Sequence, residues 1–181
     1  HSHKDHIAGL DDVRAYNYFQ RKPMDIFATI ETQNALCKEF AYIFDIIEYP
    51  GVPQINLHTI NSDEAFFIGT QKIIPIKVMH YKMEVLGFRI GDFTYITDAN
   101  YIAPSEMEKM KGSKVLVLNA LRQEKHISHY TLNEAIEVAQ FANAEQTYFT
   151  HMSHQIGLHK AISKDLPSSF TLAYDGLELS L

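Results

Sequence analysis

His1-Ser2-His3-Lys4-Asp5-His6 places three imidazoles and a carboxylate in one turn-length segment. Imidazole nitrogen and carboxylate oxygen are ligands that zinc, manganese and iron accept. Ile7-Ala8-Gly9-Leu10 follows at once, so the segment reads as a metal-binding loop running into a packed helix. A purification tag, the plain alternative, is usually a run of consecutive histidines with no acid inside it. Loops of this kind need a strand ahead of them to hold the first histidine. An N-terminal part is therefore expected to precede His1.

The 181 residues are one domain's worth and long enough to bury a core. Apolar residues at 46% and charged residues at 21% fit a globular chain rather than a disordered one. No apolar run is long enough to span a bilayer, so no membrane partner is expected. The net charge of −6, without a basic block, argues against a large non-specific nucleic-acid footprint. A single cysteine, Cys37, rules out an internal disulfide and points to a reducing, cytoplasmic setting. Lying among Ala35, Leu36 and Phe40, it reads as a small core residue.

Strand and helix patterns alternate along the chain. Residues 25–29 form a short strand-like run. Residues 31–44 have helical spacing, with Leu36, Phe40, Ile43 and Phe44 as the apolar stripe. Tyr49-Pro50-Gly51-Val52-Pro53 is a turn-rich connection. Strands are predicted at 55–60, 65–69 and 73–80, then a hairpin of 83–90 and 93–97 around Gly91-Asp92. A short helix follows Pro104. The continuous apolar run at 115–118 marks a central strand buried on both faces. Thr131-Leu132-Asn133-Glu134 is a capping box opening a helix to about Asn143. A buried strand at 146–150 follows, Ser153 can cap the next helix, and strands at 170–174 and 177–181 close the chain. Such a pattern suggests two sheets covered by helices.

Three further ligand-type residues stand where strands leave the core. Ile74, Ile76, Val78 and His80 share one parity, as do Thr94, Ile96 and Asp98. His151 directly follows the apolar strand ending at Thr150. Taken singly, each reads more readily as a capping or turn residue. Taken with the opening segment, they form an ordered set.

Written as His-x-His-x-Asp-His followed by Gly-Leu, the opening segment resembles the signature of the metallo-β-lactamase superfamily. The resemblance implies an α/β fold, an αββα sandwich of two mixed β-sheets flanked by helices, as a single domain over 1–181. It also implies downstream ligands in the order His, Asp, His, which His80, Asp98 and His151 match. Two divalent metal ions are implied, with zinc, manganese and iron all compatible. His1, His3 and His80 would serve one ion and Asp5, His6 and His151 the other, with Asp98 as the shared bridge. A bridging hydroxide between the ions would attack phosphorus or a carbonyl carbon.

Thr150-His151-Met152-Ser153-His154, Asn119 with His129-Tyr130-Thr131-Leu132-Asn133, and Tyr174-Asp175-Gly176-Leu177-Glu178 look like the branch containing the cyclic phosphodiesterase of bacterial phosphonate breakdown. By this resemblance His129 faces the substrate's leaving group or phosphate and, with Asp5, belongs to the catalytic set. A solvated loop histidine is the even alternative for His129. Arg14 either faces a phosphate or pairs with a neighbouring aspartate. His154 matches a structural-zinc histidine whose cysteine partners would precede His1, or it is simply a helix-start residue. The expected partner is a small-molecule phosphodiester, and a homodimer stays open. A transfer-RNA 3′-processing endonuclease and a non-catalytic metal-binding scaffold are the other two readings.

Overall fold

A computed structural model describes residues 1–45 and 51–180, so Tyr49 and Pro50 of the expected turn, and Leu181, lie outside the described residues. The chain divides into two compact units, His1–Asn61 and Ser62–Leu181. The architecture is α/β, with mixed sheet and flanking helices, as expected.

The first unit opens with a one-turn helix α1 (Lys4–Ile7), a 3-10 segment (Ala8–Asp12) and α2 (Val13–Gln20). Strand β1 (Met24–Ala28), helices α3 (Ile30–Glu39) and α4 (Ala41–Phe44) and strand β2 (Ile55–Thr59) follow. β1 and β2 pair in parallel from Met24↔Ile55 to Ala28↔Thr59. The Gln33 carboxamide, buried on α3, donates to Ala28 O and Thr59 Oγ1, both at 3.0 Å, and so ties the helix to both strand ends. Ala28, Leu36, Phe40 and Ile60 are buried beside it.

Three expectations fail here. The helix after the histidine segment is not packed: α2 buries no residue, and Tyr18 and Phe19 are each 80% exposed. Its aromatics Tyr16, Tyr18 and Phe19 are spaced i, i+2, i+3, which spreads them around the axis instead of along one stripe. Cys37 is exposed, because the buried positions of α3 are Gln33 and Leu36 and residue 37 turns outward. The predicted 31–44 helix breaks at Phe40 (φ −113°, ψ 43°), so Phe40 is buried while Phe44 is exposed.

The second unit holds an eight-stranded mixed sheet. Its strands are β3 (Phe66–Ile68), β4 (Gln71–His80), β5 (Met83–Ile90), β6 (Phe93–Ile96), β7 (Tyr101–Ile102), β8 (Val115–Asn119), β9 (Gln146–Thr150) and β10 (Phe170–Leu172). The order is β10-β9-β8-β6-β5-β4-β3, with β7 paired to β4. Pairings from β3 to β6 are antiparallel, and those among β6, β8, β9 and β10 are parallel. Because β4 and β6 are both antiparallel to β5, strands β4, β6, β8 and β9 all run the same way. Their C-terminal ends therefore emerge on one edge of the sheet.

The helices of this unit are α5 (Pro104–Glu108), α6 (Leu132–Ala142) and α7 (His159–Asp165). The capping box forms as read: Glu134 N donates to Thr131 Oγ1 at 3.2 Å, and Thr131 N donates to Glu134 Oε2 at 2.9 Å. Asn143 ends α6 in the left-handed region. α6 buries Leu132, Ala135, Val138, Ala139 and Ala142 in a core with Ile76, Val78, Ile96, Leu116, Leu118 and Phe149. Leu116, Val117 and Leu118 are all buried, as a strand covered on both faces requires. The strand expected after Asp175-Gly176 is absent: 177–180 has no ladder partner among the described residues.

Gly87 sits opposite Ile76 in β5, where a Cβ would lie 2.6 Å from Ile96 Cγ1 and 3.0 Å from Tyr95 O. Gly87→Ala should therefore destabilise the protein by about 1–3 kcal/mol through overpacking. Urea unfolding of the two proteins measures this, and equal midpoints would contradict the close approach.

Candidate metal centre

Each unit carries part of the expected ligand set, and each part is built locally. In the first unit His3 is the N-terminal cap of α1, and His6 N and Ile7 N both donate to His3 O, at 3.0 and 3.2 Å. This single turn puts His3 and His6 on one side, with His1 folded against both. The His1 ring lies 4.7 Å from that of His3 and 4.3 Å from that of His6. Asp5 Oδ2 is 3.4 Å from His6 Nε2.

In the second unit the shared strand direction delivers the rest. His80 ends β4, Asp98 follows β6 by two residues, and His151 directly follows β9. Asp98 (φ 56°) and His151 (φ 58°) are left-handed, and so is Tyr81 (φ 55°), directly after His80. Such backbone costs side-chain-bearing residues about 1–2 kcal/mol each. It persists where surrounding contacts enforce it, and functional sites collect it.

The enforcing contacts are visible. Asn119 closes β8 with its side chain fully buried. Its Nδ2 donates to Ala99 O and its Oδ1 accepts from Ala99 N, both at 2.9 Å. The turn that follows Asp98 is thus clamped at both backbone atoms. Asn100 Oδ1 accepts from Tyr81 N at 2.7 Å, and its Nδ2 donates to Ile127 O at 3.2 Å. One asparagine side chain thereby links the turn after His80 to the loop that carries His129.

Within this frame His151 Nδ1 lies 3.1 Å from Asp98 Oδ1, and Asp98 is 1% exposed. His80 Nδ1 lies 2.8 Å from Ser128 O. A carbonyl can only accept, so Nδ1 carries the proton and Nε2 the lone pair. That is the tautomer in which a histidine ligates a metal, held by the outer hydrogen bond such ligands ordinarily make.

His129 packs in the middle of a row of imidazoles. Its ring is 4.6 Å from that of His80, 4.8 Å from His151 and 5.2 Å from His126. It is buried, and Nδ1 has no hydrogen-bond partner among the described residues. Burial pushes its pKa down to about 4 despite the opposing Asp98 charge. The reading of a solvated loop histidine is thus corrected: the side chain is buried and neutral at neutral pH.

The remaining candidates lie differently. Arg14 is exposed with Nη2 3.6 Å from Asp11 Oδ2, the aspartate pairing named as its alternative. It also lines a cleft of about 520 Å³ with Asn17, Tyr18, Arg21 and Gln54. His154 is exposed on the 3-10 turn His154–Ile156, which Ser153 caps by accepting from Gln155 N. It joins no group of metal-ligand side chains among the described residues. Sequence reasoning missed Ser128 and Asn100 entirely. Their signal was only a polar residue beside each histidine or aspartate turn.

A family model described as "Beta-lactamase superfamily domain" matches residues 1–152. The chain belongs to the β-lactamase superfamily. A diphosphatase of the PhnP family, known as a crystal structure, superposes with a TM-score of 0.90 and 35% identity, over 100% of this chain and 69% of that one. The short form of human tRNase Z superposes with a TM-score of 0.71 and 15% identity, over 99% of this chain and 76% of that one, a likeness of fold alone. A curated octanoyltransferase of Porphyromonas gingivalis is 33% identical over 180 residues. This superfamily member spans 98% of itself in that match but only 36% of the octanoyltransferase's length. No helix among the described residues is long and apolar enough to cross a membrane.

The buried state of His129 has a thermodynamic signature. Between its folded pKa of about 4 and an ordinary 6.5, the unfolded chain binds the extra proton. The contribution to stability is therefore complete above pH 6.5 and is lost as pH falls towards 4. From pH 7 to pH 5, metal-free wild type should lose about 2 kcal/mol more stability than His129→Gln. Chemical denaturation of both proteins at the two pH values tests this. A constant difference between them would contradict the burial.

Proposed function

We propose that this chain is a dinuclear-metal phosphodiesterase acting on small phosphodiesters, cyclic ones included, of the size of a ribose phosphate. His1, His3, His80 and Asp98 would hold one divalent ion, and Asp5, His6, His151 and Asp98 the other. The observation that carries the reading is the His80 tautomer, with Nδ1 committed to Ser128 O and the lone pair on Nε2. Neutral imidazoles and carboxylates fit zinc, manganese or iron, and nothing in the donor set selects among them. Bound ions would supply a strong nucleophile from water near neutral pH and absorb charge at phosphorus.

The chain's own residues have separate tasks. Asp98, deeply buried and with the following turn clamped at Ala99, would supply its carboxylate to both ions. Asp5 orients His6. His129, neutral and dry, would donate a hydrogen bond to the departing oxygen. An anionic phosphodiester beside it would raise its pKa, so that the ring could take up a proton from solvent and pass it to the departing oxygen. Arg14 remains a candidate for a second phosphate on the substrate, in competition with its Asp11 pair. His154 is a candidate structural ligand only if a further metal-binding segment reaches it.

Support for phosphoester chemistry comes from the 35% identity to the PhnP-family diphosphatase over the whole chain. That relative also makes a diphosphate substrate worth an assay arm. The octanoyltransferase relative favours a second reading, hydrolysis of an acyl thioester, because the same donor set serves attack at a carbonyl. Turnover of bis-p-nitrophenyl phosphate with added manganese separates phosphodiesterase from scaffold. Hydrolysis of an octanoyl thioester and of no phosphoester would replace the reading, and a transfer-RNA precursor as preferred substrate would point to the endonuclease.

Two expected outcomes follow from the assignments. Asp98→Ala should lower metal content at both positions, and His80→Ala mainly at one. Metal analysis decides, and equal single-site losses would rule out Asp98 as the bridge. His129→Ala should keep its metal and lose roughly 10²–10⁴-fold in kcat on an alkyl or ribose phosphodiester. On the nitrophenyl ester, whose phenolate leaves without a proton, the loss should be much smaller. Equal loss on both substrates would make His129 a phosphate-binding residue instead.

A further inference from the structure

The loop that brings Ser128 to His80 also fixes a second imidazole, one with no assigned task. Ser128 N donates to His126 Nδ1 at 3.3 Å, and the Ser128 hydroxyl lies at the same distance. A backbone N–H can only donate, so Nδ1 accepts and the neutral ring carries its proton on Nε2. Nε2 has no partner among the described residues and is not among the buried unpartnered atoms. The ring is half-buried and stands 5.2 Å from His129, at the outer end of the imidazole row.

The loop is held rigidly on both sides of this residue. Arg122 Nε donates to Glu124 O at 3.1 Å, Nη2 donates to Lys125 O at 2.9 Å, and Nη1 donates to Gln155 Oε1 at 2.7 Å. On the other side Asn100 holds Ile127 O and His80 holds Ser128 O. Burial, and then the Arg122 guanidinium, hold the His126 ring below its ordinary pKa. A fixed N–H donor next to a guanidinium suits an anionic oxygen.

We infer that His126 is a substrate-positioning residue whose Nε2–H donates to a non-bridging phosphate oxygen, with Ser128 setting the tautomer. This rests on the phosphodiesterase reading above. It gives the two loop histidines different work: His129 serves the leaving oxygen, and His126 grips an oxygen that stays on phosphorus.

The tests use the whole 181-residue chain. Long-range 1H–15N spectra should show His126 as the Nε2–H tautomer. Adding inorganic phosphate to the metal-loaded protein should shift that Nε2 resonance. His126→Ala should keep its metal, weaken inorganic phosphate about tenfold or more, and raise KM for bis-p-nitrophenyl phosphate while changing kcat less. His126→Gln, which keeps an N–H donor at similar reach, should recover most of the phosphate affinity. An Nδ1–H tautomer, unchanged phosphate affinity in both variants, or loss of metal would each overturn the inference. A wild type that turns over no phosphodiester would sink the phosphodiesterase reading alone, since the spectra and the phosphate titration still decide His126.

Discussion

Five strands of the second unit, β4, β6, β8, β9 and β10, run in one direction, and this constraint places the candidate residues at its strand ends. β4 and β6 share it because each is antiparallel to the intervening β5, while β8 and β9 share it through parallel pairing. His80, Asp98, Asn119 and His151 reach the same edge only because of it. Sheets that present the carboxyl ends of several strands on one side commonly place their chemistry there. The side chains arriving at that edge then need turns sharp enough to stop and hold them. Left-handed residues at or next to three of the four positions supply those turns, and the Asn119 and Asn100 carboxamides enforce two of them.

Much of this was legible in residue order. Constant parity from Ile74 to His80 and from Thr94 to Asp98 marks side chains that exit on the core-facing side of a strand. The capping box at Thr131 fixes where the His129 loop must end. Illegible features depend on three-dimensional enclosure. His129 is packed against His80 and His151, both distant in sequence, and burial lowers its pKa. Cys37 looked like core because its sequence neighbours are apolar, but one position along a helix is a 100° rotation, enough to turn it outward.

Superfamily membership sets the hydrolase fold, and local hydrogen bonding sets what this member can do with it. Ser128 shows how economical that bonding is. Its carbonyl fixes the proton on His80, and its N–H, with the hydroxyl beside it, fixes the proton on His126. One small residue therefore determines which nitrogen of each ring is basic. The opposite tautomer at His80 would put a proton on Nε2 and leave Ser128 O without its donor.

The sheet's two halves also differ in how quickly a chain can find them. Residues 71–96 form an antiparallel meander whose partners are close in sequence, from His80↔Met83 outward to Ile73↔Ile90. β8 and β9 pair only after the 115–150 stretch, with α6 inside it, has looped back, and Phe170–Leu172 must then be added at the rim. Local pairings form early and long loops close late. His80 lies within the early half and Asp98 follows it by two residues, whereas His151 arrives with the slow one. The edge that gathers His80, Asp98 and His151 is therefore completed only when the long-range parallel pairing of β8 and β9 has formed.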